Sequence, residues 1–239
     1  MTAIGLERKN PVTARVRGLR HGTETAIVLG TVIGIFTLIS FINLHQRNGS
    51  AEIPIETRSL CGTIILELIL ALLLVPFLWA RGWRLSDCTD KPAGRDLVRG
   101  LGIWVLAYVG YVLAWMVLAL LRPEVMTGLR QMHFAGAVSW SAIVLVTLIN
   151  PIFEEFLFLG YTVPALSRYG LGFAGFASVA MRALVHVYQG PLALVAIAPV
   201  GVVFLYSYLA RRSLWPAVVA HMIFDAMGLV WLAHAGGAA

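Results

Sequence analysis

Seven long apolar stretches divide this chain and constrain its fold more than any other feature. They cover residues 25–44, 60–80, 101–121, 139–167, 172–189, 191–210 and 214–234. A helix needs about 20 mostly apolar residues to cross the hydrocarbon core of a bilayer. The stretches are continuously apolar and lack the alternation of a barrel strand, so each is predicted to be a helix. The sequence therefore predicts an all-α, polytopic transmembrane helical bundle of about seven spans.

The composition agrees with a protein that faces lipid rather than water. Hydrophobic residues make up 59% of the 239 residues and charged residues 13%, whereas a soluble domain has about 25% charged residues. The net charge of +6 does not predict nucleic-acid binding, because Lys and Arg cluster in short segments between the apolar stretches. We expect the lipid bilayer, and no nucleic acid, as a partner of this chain.

The positions of Lys and Arg predict the orientation in the membrane, since cytoplasmic loops carry an excess of both. If the N-terminus is cytoplasmic, the basic segment ERKNPVTARVRGLR and the loop RGWRLSDCTDKPAGRDLVR both lie inside. The opposite side then holds only Arg47, Arg58, Arg122 and Arg130. The sequence predicts a multi-pass protein of a bacterial cytoplasmic membrane with a cytoplasmic N-terminus.

Seven ionisable side chains fall inside the predicted spans, and all but one are grouped in the fourth, fifth and seventh. They are Glu67, Glu154, Glu155, Arg182, His186, His221 and Asp225. Such a group costs about 2.5–3.5 kcal/mol at the bilayer centre, so we expect it to face the bundle interior and to have partners. Glu67 fits no motif, and a structural or gating role is predicted for it.

The spacing of the grouped residues predicts how they meet. Arg182 and His186 are four residues apart and share one helix face, and His221 and Asp225 have the same relationship. The adjacent glutamates 154 and 155 point about 100° apart, so one is expected to face a reaction centre while the other orients a neighbour.

Depth along the helices predicts that these side chains lie at one level. At about 1.5 Å per residue, Glu154 and His186 lie about 20 Å, and Asp225 about 18 Å, from the cytoplasmic ends of their helices. This holds if the fourth span continues past Gly160. Alternatively, that span is interrupted at Pro164.

Carboxylates and imidazoles at one depth can position and deprotonate a water molecule. A glutamate in apolar surroundings suits a general base near neutral pH, because burial disfavours its charged form. Alternatively, histidine and acidic residues hold zinc, whose bound water is a nucleophile. The candidate zinc ligands are Glu154, His186, His221 and Asp225. Either design hydrolyses a bond inside the membrane.

Three segments, EEFLFLGY, MRALVHVYQG and WPAVVAHMIFD, resemble the CPBP family of CAAX proteases and bacteriocin-processing intramembrane endopeptidases, also called the ABI family. The resemblance extends over residues 139–232. The family pattern is EExxxR, then FxxxH, then HxxxN or HxxxD, on separate helices. Glu154 and Glu155 match the first motif, His186 the second, and His221 with Asp225 the third.

The resemblance implies both a reaction and a role for each matched residue. Glu154 and His186 would activate the water that attacks a peptide bond of a membrane-associated protein or peptide. Glu155 would orient a neighbour, while His221 and Asp225 would stabilise the oxyanion or bind a metal. The chain would then consist of a basic segment over 1–24, N-terminal helices over 25–138 and a catalytic core over 139–234.

Two departures from the family pattern concern an arginine. The arginine of EExxxR is Leu159 here, and the phenylalanine of FxxxH is Arg182. We predict that Arg182 pairs with Glu155 or Glu154, because a bidentate arginine–carboxylate pair compensates a buried charge. The alternative is an inactive family member that acts as a scaffold or immunity protein. A proton- or cation-coupled transporter is a further alternative, since chains of intramembrane Glu, His and Asp also mark ion paths.

Overall fold

The computed structural model describes residues 21–46, 52–126 and 131–236, and most of them are helical. The predicted cytoplasmic segment up to residue 20, Arg47 and Arg130 lie outside the described residues. The α-helices follow in chain order: α1 (His21–Gln46), α2 (Thr57–Ala80), α3 (Leu85–Cys88), α4 (Gly94–Leu121), α5 (Pro123–Met126), α6 (Trp140–Glu155), α7 (Val163–Leu166), α8 (Leu171–Val185), α9 (Pro191–Arg211) and α10 (Trp215–Gly236).

Six helices of the described residues are long and apolar enough to cross a membrane, which confirms the all-α polytopic bundle. They match six of the predicted stretches closely. The fifth stretch corresponds to α8, an apolar helix of 15 residues that is shorter than the 20 or so residues of a full span. Its helix ends early because His186 leaves helical geometry and Gly190, at a φ of 97°, precedes Pro191 at the start of α9.

The fourth span is one continuous 30-residue helix from Trp140 to Tyr169. It therefore continues past Gly160, and the alternative of an interruption at Pro164 is wrong. It changes from α to π geometry over Phe156–Thr162, directly after the glutamate pair. Thr162 donates to the carbonyl oxygen of Leu157 at 2.8 Å, and Ser178 of α8 donates to that of Phe158 at 2.8 Å. Side chains thus satisfy the carbonyls that the wider turn frees, and such turns are frequent at functional sites.

This helix is the centre of the bundle. Half of it is buried inside the protein, the largest share among the six spans. One apolar cluster joins it to α1, α2 and α8, and a second joins it to α4, α9 and α10. The residues of this fourth span therefore face helices from both halves of the chain.

A short parallel strand pair, which the sequence did not predict, fixes α2 beside α6. Strand β1 (Glu52–Ile55) precedes α2, and β2 (Gln131–Phe134) precedes α6. The amide of Ser139 also donates to the hydroxyl of Thr57 at 3.0 Å. Since both helices start from this pair, their side chains meet at matching heights.

A buried ion pair joins the first turn of α1 to the end of α2, away from the glutamate pair. Glu24 of α1 is 2% exposed. It accepts hydrogen bonds from Arg81 Nε at 2.8 Å and from Trp83 Nε1 at 3.2 Å. Its charge is therefore paired within the connection that follows α2.

Candidate active site

Glu155 has the most completely satisfied carboxylate of the group. Its side chain is fully buried, and Nη2 of Arg182 donates to both of its oxygens at 2.8 and 2.7 Å. Nδ1 of His221 lies 2.7 Å from Oε1. Three helices, α6, α8 and α10, thus meet at one carboxylate.

Arg182 occupies an aromatic cradle between α8, the π-helical segment and α9. Its guanidinium carbon lies 4.7 Å from the ring centroid of Phe158 and 5.3 Å from that of Phe204. Both distances fall within the range of a cation–π interaction. The other terminal nitrogen, Nη1, lies 3.7 Å from Glu154 Oε2. Arg182 therefore contacts both glutamates, through one nitrogen each rather than as a bidentate fork on one of them.

Glu154 has a different environment from its neighbour in sequence. Its side chain is 14% exposed, against 0% for Glu155. Oε1 accepts a hydrogen bond from Asn150 Nδ2 at 3.2 Å, whereas Oε2 is buried and accepts none from the described residues. One oxygen of Glu154 thus accepts a hydrogen bond, whereas the other, which lies 3.7 Å from Arg182 Nη1, accepts none from the described residues.

His186 lies at the C-terminus of α8, where the helix ends. Its Nδ1 is 2.8 Å from the carbonyl oxygen of Arg182. A carbonyl only accepts, so Nδ1 carries the proton and Nε2 of the neutral ring is an acceptor. His186 interacts electrostatically with Glu154 and His221, which places the imidazole at the same site.

His221 and Asp225 stand one turn apart on α10. His221 Nε2 lies 3.6 Å from Asp225 Oδ1, and the Asp225 side chain is 26% exposed. Asp225 also interacts electrostatically with Glu154 and Arg182. The imidazole of His221 is therefore held between the buried Glu155 and the more accessible Asp225.

The structure brings all five motif residues and Arg182 into one cluster. The catalytic roles of these residues remain predictions. Sequence analysis missed Asn150 and gave Glu67 no place in the site, although Asn150 Nδ2 donates to Glu67 Oε1 at 2.6 Å. The available signal for Asn150 was its position one turn before Glu154 on the same helix face.

The four candidate zinc ligands do not fit a metal site. Within residues 21–46, 52–126 and 131–236, no group of three or more His, Cys, Asp or Glu side chains could hold a metal ion. No step of the chemistry below is therefore assigned to zinc.

Comparison with protein families identifies one match. Residues 136–227 match the family model described as type II CAAX prenyl endopeptidase Rce1-like. The matched segment is less than half of the chain, but it contains all five motif residues and Arg182. The resemblance to the CPBP family is confirmed for this segment, and at the family level it indicates a CAAX-type intramembrane protease. Comparison with curated proteins and with solved structures gives no match.

Proposed function

We propose that this chain, which carries a CPBP-type segment in a bundle of membrane-spanning helices, is an intramembrane endopeptidase. It hydrolyses a peptide bond of a membrane-associated protein or peptide, with a water molecule activated by Glu154 and His186. We place it in a bacterial cytoplasmic membrane, and the distribution of Lys and Arg supports a cytoplasmic N-terminus.

The observation that carries the proposal is the contrast between two adjacent glutamates. Glu155 is fully buried and its carboxylate is engaged by Arg182 and His221. Glu154 has one oxygen fixed by Asn150 and one without a hydrogen-bond partner among the described residues. A structural pair would satisfy both carboxylates. A fully engaged carboxylate beside one with an unfilled acceptor oxygen supports an orienting role for Glu155 and a general-base role for Glu154.

The reaction follows from this assignment. Oε2 of Glu154 takes a proton from water while the water oxygen bonds to the peptide carbonyl carbon. The proton then passes to the leaving nitrogen as the C–N bond breaks, so one water is consumed and two termini form. Nε2 of His186, an acceptor in the neutral ring, holds the second hydrogen of the attacking water. Two groups thus fix the water before attack, which reduces the entropic cost of reaching the transition state.

As an imidazolium, which carries a hydrogen on each ring nitrogen, His221 donates from Nε2 to the carbonyl oxygen on which negative charge develops. It donates from Nδ1 to Glu155, which fixes the orientation of the ring. Asp225 contributes either as a protonated acid that donates a hydrogen bond or as the residue that orients His221 Nε2. Preorganised donors of this kind act strongly in a site that excludes water.

The experiment is a comparison of protein termini in membranes of cells that express wild type or Glu154→Gln at matched levels. Glu56→Gln, at an exposed glutamate before α2, is the matched control. We expect new termini with wild type and with the control, and none with Glu154→Gln. Those termini also identify the substrate.

Other outcomes distinguish the alternative functions. Identical termini in all three samples contradict proteolysis. If the protein is a scaffold, Glu154→Gln leaves its cellular phenotype unchanged. If it is a transporter, its activity depends on an ion gradient.

A further inference from the structure

Glu67 is a buried acid of the first half of the chain, outside the segment that matches the family. It lies near the middle of α2 and is 1% exposed. The matched segment begins only at residue 136, so no motif assigns Glu67 a role. An ionisable residue at this depth is costly and calls for a functional explanation.

One amide group links Glu67 to the proposed general base. Nδ2 of Asn150 donates to Glu67 Oε1 at 2.6 Å and to Glu154 Oε1 at 3.2 Å. An amide nitrogen has two hydrogens, so each carboxyl group receives one. The orientation of Asn150, and with it the position of Glu154 Oε1, therefore depends on what stands at residue 67.

The charges around Glu67 determine whether its carboxyl group is ionised or protonated at this position. Glu154 of α6 and Asp225 of α10 interact with it as negative charges, and His221 of α10 as a positive one. Arg182 is engaged by the two glutamates of α6. Within the described residues, no cation lies within ion-pair distance of Glu67, and its Oε2 has no hydrogen-bond partner. A buried carboxylate without a counter-ion is too costly to retain its charge, so the group takes up a proton.

We propose that Glu67 is a positioning residue of the hydrolytic site: as a neutral carboxylic acid it fixes the amide of Asn150, which holds Glu154 for proton abstraction. A neutral Glu67 accepts the hydrogen bond from Asn150 without repelling an ionised Glu154. The inference rests on the proposed function. The competing explanation is an interhelical hydrogen bond that only joins α2 to α6.

Two substitutions at this position give opposite results if the inference holds. Glu67→Gln preserves size, neutrality and an acceptor for Asn150, so kcat at neutral pH stays near the wild-type value. Glu67→Leu removes the acceptor, so kcat falls by roughly 10- to 100-fold, as for other residues that orient a functional group, with little change in KM. The assay uses full-length protein in vesicles and a peptide that spans the cleavage site found by the comparison of termini.

The pH profile supplies a readout that a purely structural contact would not change. In wild type, alkaline pH removes the proton from Glu67, and the resulting charge repels Glu154, so activity declines. Glu67→Gln cannot lose that proton, and its alkaline limb moves to higher pH. Glu24→Leu is the matched control, because Glu24 is equally buried but paired with Arg81. It lowers the unfolding temperature and leaves the pH profile unchanged.

Two outcomes overturn the inference while the proposed function stands. In one, Glu67→Gln is as inactive as Glu67→Leu, which means that the charge itself is required. In the other, Glu67→Leu keeps the wild-type kcat and only unfolds more easily, which means that Glu67 serves only as an interhelical hydrogen bond.

Infrared spectra test whether Glu67 is protonated, and they need no substrate. All spectra are recorded with Asp225→Asn in place, because a protonated Asp225 would give the same band. Protein that retains Glu67, with or without Glu154→Gln, shows the carbonyl band of a buried carboxylic acid, and Glu67→Gln lacks it. Absence of that band from protein that retains Glu67 also overturns the inference.

Discussion

Nη2 of Arg182 contacts both carboxylate oxygens of Glu155, at 2.8 and 2.7 Å, although 27 positions separate the two residues along the chain. The CPBP pattern has an arginine four residues after this glutamate, where the chain has Leu159. The cation therefore reaches this carboxylate from a neighbouring helix. A fully buried carboxylate requires such a partner wherever it comes from, because its own desolvation is costly.

Replacing Arg182 with the phenylalanine of the family pattern tests this compensation. Arg182→Phe leaves Glu155 buried without its cation, and we expect the free energy of unfolding to fall by about 3–5 kcal/mol. Adding Leu159→Arg restores the arrangement of the family and recovers part of the loss. Unfolding temperatures in detergent and cleavage in vesicles measure both effects. Equal stability of Arg182→Phe and wild type would contradict the role of the pair.

The two glutamates are expected to differ when each is replaced by glutamine. Glu154→Gln lowers cleavage by about 10²–10⁴-fold, the usual contribution of a general base, with little change in unfolding temperature. Glu155→Gln lowers the unfolding temperature, because it leaves the charge of buried Arg182 without its partner. Cleavage rates and unfolding temperatures of the two variants, measured side by side, check this. The reverse pattern would assign the base to residue 155.

Asp225 can be replaced by the asparagine that the family pattern allows at the same position. Asp225→Asn keeps the size of the side chain and supplies an N–H donor for the developing oxyanion, so we expect most of the activity to remain. Asp225→Ala removes the group and lowers kcat by about 10²–10³-fold. The measurement is kcat for both variants in vesicles. Inactivity of Asp225→Asn would mean that the carboxylate itself is needed.

Cys88, in the short helix α3 between two spans, is expected to resist alkylation. Burial raises the pKa of the Cys88 thiol to about 12, and only the thiolate reacts. At pH 8 a membrane-permeant maleimide should therefore label half-buried Cys61 faster than Cys88 in the folded protein. Since an unfolded thiol ionises near pH 8.5, stability should decrease as the pH rises from about 8.5 towards about 12. Mass spectrometry of labelled peptides detects the difference, and equal labelling rates would contradict the burial of Cys88.

Gly100 permits the close packing of α4 against α10, the helix that bears His221. A Cβ at this position would lie 2.5 Å from the Cβ of Val219, so one helix must move to accommodate it. Gly100→Ala should lower the free energy of unfolding by about 1–3 kcal/mol. Gly102→Ala is the control, because its Cβ has no neighbour within 4 Å. Unfolding in detergent distinguishes them, and equal stability of the two variants would contradict the contact.

The membrane architecture could be predicted from the sequence because its cause is local. Each span requires only its own apolar length, and each pair of residues four apart, such as His221 and Asp225, requires only helical periodicity. The prediction that the motif residues lie at one depth rests on the same helical rise per residue. The boundaries of the fourth span were also predictable, although the π turn after Glu155 was not, because it depends on how Ser178 and Thr162 satisfy the freed carbonyls.

The sequence by itself determined the bundle, the set of ionisable residues and the helix face on which each motif pair lies. Only the tertiary structure decided that Arg182 donates hydrogen bonds to Glu155 and that Oε2 of Glu154 accepts none from the described residues. Both results depend on the rotation of α6 against α8 and α10. The tertiary structure likewise decided that Glu67 reaches the site through Asn150, since the two residues lie 83 positions apart and meet only when the chain folds back. Contacts between helices that are distant in sequence follow from the packing of the whole bundle, and local sequence patterns do not predict them.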